Sequence, residues 1–190
     1  MRKDIEEALT RFKINTLGNK KNIESFELIL KEDENVLYIS PTNMEIINVN
    51  TRKKERLPGV CALTNKRFIF QYKILLNTNI ESISLDKIDS INAFSNGITG
   101  SHIQIHTITK TFDMLCSYKK EIMKNIEEIF ENAINNYRDI KKNDESTIGS
   151  KNKLQELSNI EEIKKYKELL YIGAITKDEF ETKKKELLNL

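Results

Sequence analysis

A chain of 190 residues, 38% hydrophobic and 32% charged, is long enough for one ordinary domain plus an accessory element with a modest core. Its formal net charge of +2 excludes a whole-molecule field drawing it onto nucleic acid or lipid, so electrostatic targeting has to be local. Two cysteines without paired spacing, a charged amino terminus with no apolar run behind it, no lipidation motif and no window of about 20 apolar residues argue against a disulfide scaffold, a signal peptide and a membrane span, and predict a cytoplasmic protein.

Residues 1–34 read as helical. Ile5, Leu9 and Phe12 fall at i, i+4, i+7, and Ile23, Phe26, Ile29 and Leu30 form a second stripe beyond a break at Gly18-Asn19. Those faces need a surface to cover, and the segment that follows supplies one.

From Asn35 to Leu115 the period becomes that of strands. Pro41, the polar run Asn48 to Arg56 and Pro58-Gly59 punctuate its beginning. Val60 to Thr64 and Phe68 to Tyr72 flank Asn65-Lys66-Arg67, which reads as a tight hairpin. Weaker alternation covers Ile80 to Leu85, and Ile88 to Phe94 leads to a turn at Ser95-Asn96-Gly97. Ser101 to Thr107 is the clearest strand, with His102, Gln104 and His106 on one face and isoleucines on the other; Thr109 to Leu115 returns beside it. Six or seven short antiparallel strands without an intervening helix predict a barrel or a strongly bent sheet.

Tyr118, Ile122, Ile126, Ile129, Ala133 and Tyr137 then step at helical spacing, predicting a helix that packs across an open end of the barrel. Residues 139–158 turn polar and read as a linker between a domain at 35–138 and a hairpin at 159–190. In the hairpin, Ile160, Ile163, Tyr166, Leu169 and Leu170 line one helix. Gly173 supplies a C-terminal cap, and Thr176 with Glu179 forms a capping box opening a second helix with Phe180, Leu187 and Leu188.

Two segments resemble known families. Leu63-Thr64-Asn65-Lys66-Arg67-Phe68-Ile69-Phe70 and Ile83-Ser84-Leu85-Asp86-Lys87-Ile88-Asp89-Ser90-Ile91 are similar to two signatures of bacterial PH-like domains of the YokE type, a group related to GRAM domains. Gly173-Ala174-Ile175-Thr176, Glu179-Phe180, Lys183-Lys184 and Leu187-Leu188 resemble the short C-terminal domain called SHOCT. The resemblance implies an α+β fold: a PH-like antiparallel barrel or bent sheet capped by a C-terminal helix, with N-terminal helices and a separate helical hairpin. It also implies a non-catalytic scaffold that recognises a partner or itself.

Candidate sites are few. His102 and His106, i and i+4 on a strand, stand about 13 Å apart at 3.3 Å per residue, too far to share one metal ion. Cys116 lacks an orienting third group for a thiol nucleophile, and the turns around Gly97 and Gly100 lack the pattern of a phosphate loop. No catalytic, metal or cofactor site is expected, and the chain reads as a non-enzyme. Arg52, Lys53, Lys54 and Arg56 are the candidate anion or lipid site, in a loop between early strands, against the plainer reading of a solvated edge. Ile163, Tyr166, Leu170, Ile175, Phe180 and Leu187 are the candidate interaction surface of the hairpin, which is too small to be stable alone. The expected partners are a second copy of the chain or another protein, then an anionic membrane. Nucleic acid, suggested only by the basic loop and Lys183-Lys184-Lys185, lacks an aromatic stacking strip.

Overall fold

The computed structural model describes residues 1–96, 100–117 and 120–188. The chain divides into two units, Met1–Asp139 and Ile140–Leu190.

The first unit is built on a seven-stranded antiparallel sheet, in the order β4-β3-β2-β1-β7-β6-β5. Its strands are β1 (Val36–Asn48), β2 (Lys54–Thr64), β3 (Arg67–Ile74), β4 (Asn77–Ser84), β5 (Ser90–Asn96), β6 (Gly100–His106) and β7 (Lys110–Ser117). Helices α1 (Lys3–Arg11) and α2 (Lys20–Glu24) precede it. Ser25–Leu28 is a 3₁₀ turn, so the second predicted stripe is split between an α-helix and a tighter coil.

The sheet bends around one core and carries a second on its back. Tyr38, Leu63, Phe68, Phe70, Phe112 and Met114 point inward, where Ile126, Phe130 and Ile134 of α3 (Lys120–Tyr171) close over them. Ile39, Val60, Ala62 and Ile69 point outward and are covered by Ile5, Ala8, Ile23 and Phe26. Burial on both faces explains why β2 and β3 read as continuous apolar runs rather than alternating strands.

Two punctuation marks in the sequence fall inside strands. Pro41 lies within β1 opposite Val60, and Pro58 within β2 opposite Asn43. β1 pairs with β7 only from Met44 onward, and β2 pairs with β3 only from Gly59 onward. Each proline therefore sits where its strand has a neighbour on one side alone, and the missing N–H breaks no ladder. The polar stretch 139–158 belongs to α3, whose backbone is helical from Lys120 to Tyr171. Its Asp, Glu, Lys and Asn residues are polar without being strong helix breakers. Of the turn expected at Ser95-Asn96-Gly97, Ser95 and Asn96 belong to β5 instead, while Gly97 and Tyr118 lie outside the described residues.

In the second unit, α3 ends at Tyr171 and α4 spans Lys177–Leu188. Gly173 at φ 73° donates to the Leu170 carbonyl and Ala174 to that of Leu169, at 3.1 and 2.9 Å. This is a Schellman cap. Thr176 caps α4: the Glu179 N–H donates to Thr176 Oγ1 at 3.3 Å, and the Thr176 N–H donates to Glu179 Oε2 at 2.8 Å.

Candidate binding site

Strand direction decides which turns share an end of the sheet. β1 finishes at Asn48 opposite Lys110, the first residue of β7, while Ile47 faces Lys54 at the start of β2. The β1–β2 and β6–β7 turns are therefore neighbours, and the Val49 N–H donates to the Thr109 carbonyl at 2.9 Å. β3 runs in the direction of β1, with Tyr72 opposite Gly59, so the β3–β4 turn lies at the same end. Lys110 joins the set from the other side, its ammonium 2.7 Å from the Glu81 carboxylate of β4.

All three turns hold aliphatic side chains out to solvent. Val49 is 47% exposed, Leu75 93%, Leu76 98% and Ile108 79%. Leu75 also has φ 56°, a left-handed conformation that a leucine adopts at a cost. A two-residue connection such as that between Ile74 and Asn77 ordinarily uses Asn-Gly or a leading glycine. Leu-Leu is unfavourable there on both counts, solvation and backbone.

The predicted cations sit beside these tips, though only Arg52 and Lys53 are in the turn; Lys54 and Arg56 belong to β2. Arg52, at φ 56°, donates its backbone N–H to the Asn48 carbonyl at 2.8 Å. Lys53 pairs with Glu55 at 2.6 Å, while Lys54 and Arg56 share Glu45 at 3.6 and 2.9 Å. The hydrogen bond between Lys53 and Glu55 holds the lysine pKa above, and the glutamate pKa below, its ordinary value. Four cations against two carboxylates leave two net positive charges at the tips.

Residues 30–135 match the family of bacterial PH domains. The chain belongs to that family. Solved structures of similar architecture include the Vps36 N-terminal PH domain, 18% identical over 56% of this chain and 83% of that one, with a TM-score of 0.39. A DUF1696 family protein with a pleckstrin-homology domain from Shewanella loihica is 12% identical over 58% of this chain and 88% of its own, at 0.41. The hSac2 domain of the human phosphoinositide phosphatase Sac2 is 13% identical over 62% and 80%, also at 0.41. No curated protein matches the sequence.

Elsewhere in the PH domain each histidine has a partner of its own. His102 is half-buried, its Nδ1 2.7 Å from Asp113 Oδ1, and its ring stacks on Phe94 with centroids 5.2 Å apart. His106 Nδ1 lies 3.1 Å from Thr111 Oγ1. No cluster of three metal-ligating side chains occurs among the described residues. Both cysteines face the inner core, and burial pushes the Cys61 thiol up to about 12 and Cys116 higher still, so neither is primed as a nucleophile.

In the hairpin, Ile163, Tyr166, Leu170, Ile175, Phe180 and Leu187 are all half-buried, and no residue of α4 is fully buried. Asn159 Nδ2 donates to the Leu187 carbonyl at 2.8 Å, joining the two arms. Ile160, Leu169, Tyr171, Ile172 and Leu188 stay exposed.

Two features escaped the sequence reading. The aliphatic tips Val49, Leu75, Leu76 and Ile108 carried a signal, apolar residues in stretches otherwise composed as turns. The other is the role of Arg67, which was visible as part of a signature but not as the clamp on Glu34 that it forms.

Proposed function

We propose that this PH domain is a non-catalytic attachment module that docks on an anionic membrane surface through its three-turn end, while the C-terminal hairpin joins it to a second copy. The observation that carries the first half is the set of exposed aliphatic tips, Val49, Leu75, Leu76 and Ile108, gathered at one end beside Arg52 and Lys53. Two net charges contribute about 2 kcal/mol at an anionic surface. That falls short of the roughly 4 kcal/mol of millimolar binding. Moving leucine side chains out of water contributes about 1.5 to 3 kcal/mol each, so the apolar tips dominate and the cations select anionic lipid. Flotation of the full chain with phosphatidylserine vesicles, against pure phosphatidylcholine, tests this. Binding to the anionic vesicles that falls with salt and is lost in Leu75→Asp/Leu76→Asp is expected; equal flotation of this variant with wild type overturns it.

The second half rests on the hairpin's failure to bury any residue of α4. The end of α3 and the 12 residues of α4 leave Ile160, Leu169 and Ile172 exposed, an apolar surface that the two arms do not cover between themselves. A second copy offers the matching apolar surface by symmetry. Light scattering should give a lower mass for a chain ending at Asp139 than for the full chain; equal masses refute assembly through the hairpin.

A further inference from the structure

The two edges of the sheet are protected unequally, and we propose that the unprotected one, β5, takes an extended cationic segment of a partner protein as an added strand. The opposite edge, β4, is guarded. Arg67 Nη1 donates to Ser82 Oγ at 3.1 Å, Lys110 holds Glu81, and residues 107–110 of the neighbouring turn border the strand.

Among the described residues β5 has no such guard. Its sequence, Ser90-Ile91-Asn92-Ala93-Phe94-Ser95-Asn96, contains no lysine, no proline and no charge. It pairs with β6 in unbroken register from Ser90 opposite His106 to Asn96 opposite Gly100, with no bulge to twist the edge away. Natural sheets blunt an edge by one of these devices. An edge lacking all of them presents a free row of backbone donors and acceptors to another chain.

The partner's chemistry follows from what lies beside the edge. A groove of about 260 Å³ runs between the start of β5 and α3. Ile88, Ile91 and Ile134 line it, with Asp89, Glu131 and Arg138 among them. Arg138 is committed to the Ile88 carbonyl. Asp89 and Glu131 make no ion pair among the described residues, and two carboxylates against the one guanidinium of Arg138 leave the groove a net negative charge. It favours a lysine or arginine on the incoming strand and disfavours an acidic residue. Its volume suits a long side chain rather than a folded surface. The added strand therefore lies along Ser90–Phe94, aliphatic residues toward Ile91 and Ile134 and a cation between Asp89 and Glu131.

The test uses the full chain and two fluorescein-labelled synthetic peptides of alternating valine and threonine, one with a central lysine, the other with a glutamate. Anisotropy should show the lysine peptide binding more tightly, by about fivefold, the scale of a partly exposed ion pair. Amide exchange should slow at Ser90–Phe94 when it binds. Glu131→Lys should invert the preference, and Asn92→Lys, which installs the missing edge guard, should weaken both peptides. Failure of the lysine peptide to bind at millimolar concentration, protection that maps to β4 or the hairpin, or a preference unchanged in Glu131→Lys overturns the proposal. So does β5 already protected in the free chain by pairing with β5 of a second copy.

Discussion

Arg67 grips Glu34 with both arms of its guanidinium, Nε donating to Oε1 at 2.6 Å and Nη2 to Oε2 at 2.8 Å. Glu34 is 1% exposed. The same Nη2 donates to the Ile29 carbonyl at 2.8 Å, and Arg2 donates to the Glu34 carbonyl. One residue at the β2–β3 hairpin thus fastens the N-terminal segment, which covers the outer core, to the sheet. Removing Arg67 leaves a buried carboxylate without its partner, a change that costs about 3 kcal/mol or more. Arg67→Ala should lower the urea midpoint accordingly, and Arg67→Lys should recover only part, because an ammonium cannot span both oxygens. A midpoint for Arg67→Ala within experimental error of wild type would show that the clamp does not hold the segment.

The same carboxylate makes stability depend on acid. Burial works to raise the Glu34 pKa, but the Arg67 hydrogen bonds and the Lys31 backbone N–H outweigh it and hold the group below its ordinary value. A folded pKa below the unfolded one means the stabilisation is complete above the unfolded carboxylate range and disappears as pH falls through the folded value. Asp4, opposed by burial but held down by Arg2 and the Val36 N–H, adds in the same direction. The thermal midpoint should therefore be flat above about pH 5 and fall below it. Glu34→Gln should start lower and fall less steeply; parallel curves would assign the acid sensitivity to other groups.

Periodicity and capping residues made α1, α3 as far as Tyr137 and both hairpin caps legible in advance, because each depends on neighbours in sequence. What escaped depends on distant strands. Pro58-Gly59 looks like a turn, yet Gly59 sits in β2 because a Cβ there would run into the Gln71 carbonyl and the Phe70 ring. The basic run was visible, but its partner Glu45 lies across the sheet on β1 and offsets one more of its charges than Glu55 within the run does. The aliphatic tips went unnoticed because nothing local says that three turns meet at one end.

Gly59 gives a test of that close approach. Its backbone is not left-handed, so the demand is for space alone. Gly59→Ala forces apart β2 and β3 and should cost about 1 to 3 kcal/mol, the usual penalty of overpacking. Denaturant unfolding measures it; a neutral or stabilising alanine would mean that β3 moves aside freely.

Leu75 separates stability from attachment. Leu75→Gly relieves the positive φ and removes an exposed side chain, so it should stabilise the fold by about 1 kcal/mol. The same change should reduce flotation with phosphatidylserine vesicles. Stability and binding moving in opposite directions is the signature of a residue kept for its surface role. Reduced flotation together with reduced stability would instead make Leu75 a structural residue.

The hairpin's bend rests on two caps with different physics. Gly173 has φ 73° and open space where a Cβ would go, so Gly173→Ala brings backbone strain without a clash, about 1 to 2 kcal/mol. Thr176 supplies a hydroxyl acceptor for the Glu179 N–H, and Thr176→Ala should cost about 1 kcal/mol of α4. The backbone N–H and hydroxyl of Thr176 both donate to the Glu179 carboxylate and hold its pKa below the ordinary value, so the cap also weakens as acid protonates that group. Amide exchange across Lys177–Leu188 reads both variants directly. Each should speed exchange in α4 while leaving β1–β3 unchanged, since the hairpin forms a unit of its own. Faster exchange spreading equally into the sheet would make the two units one cooperative body.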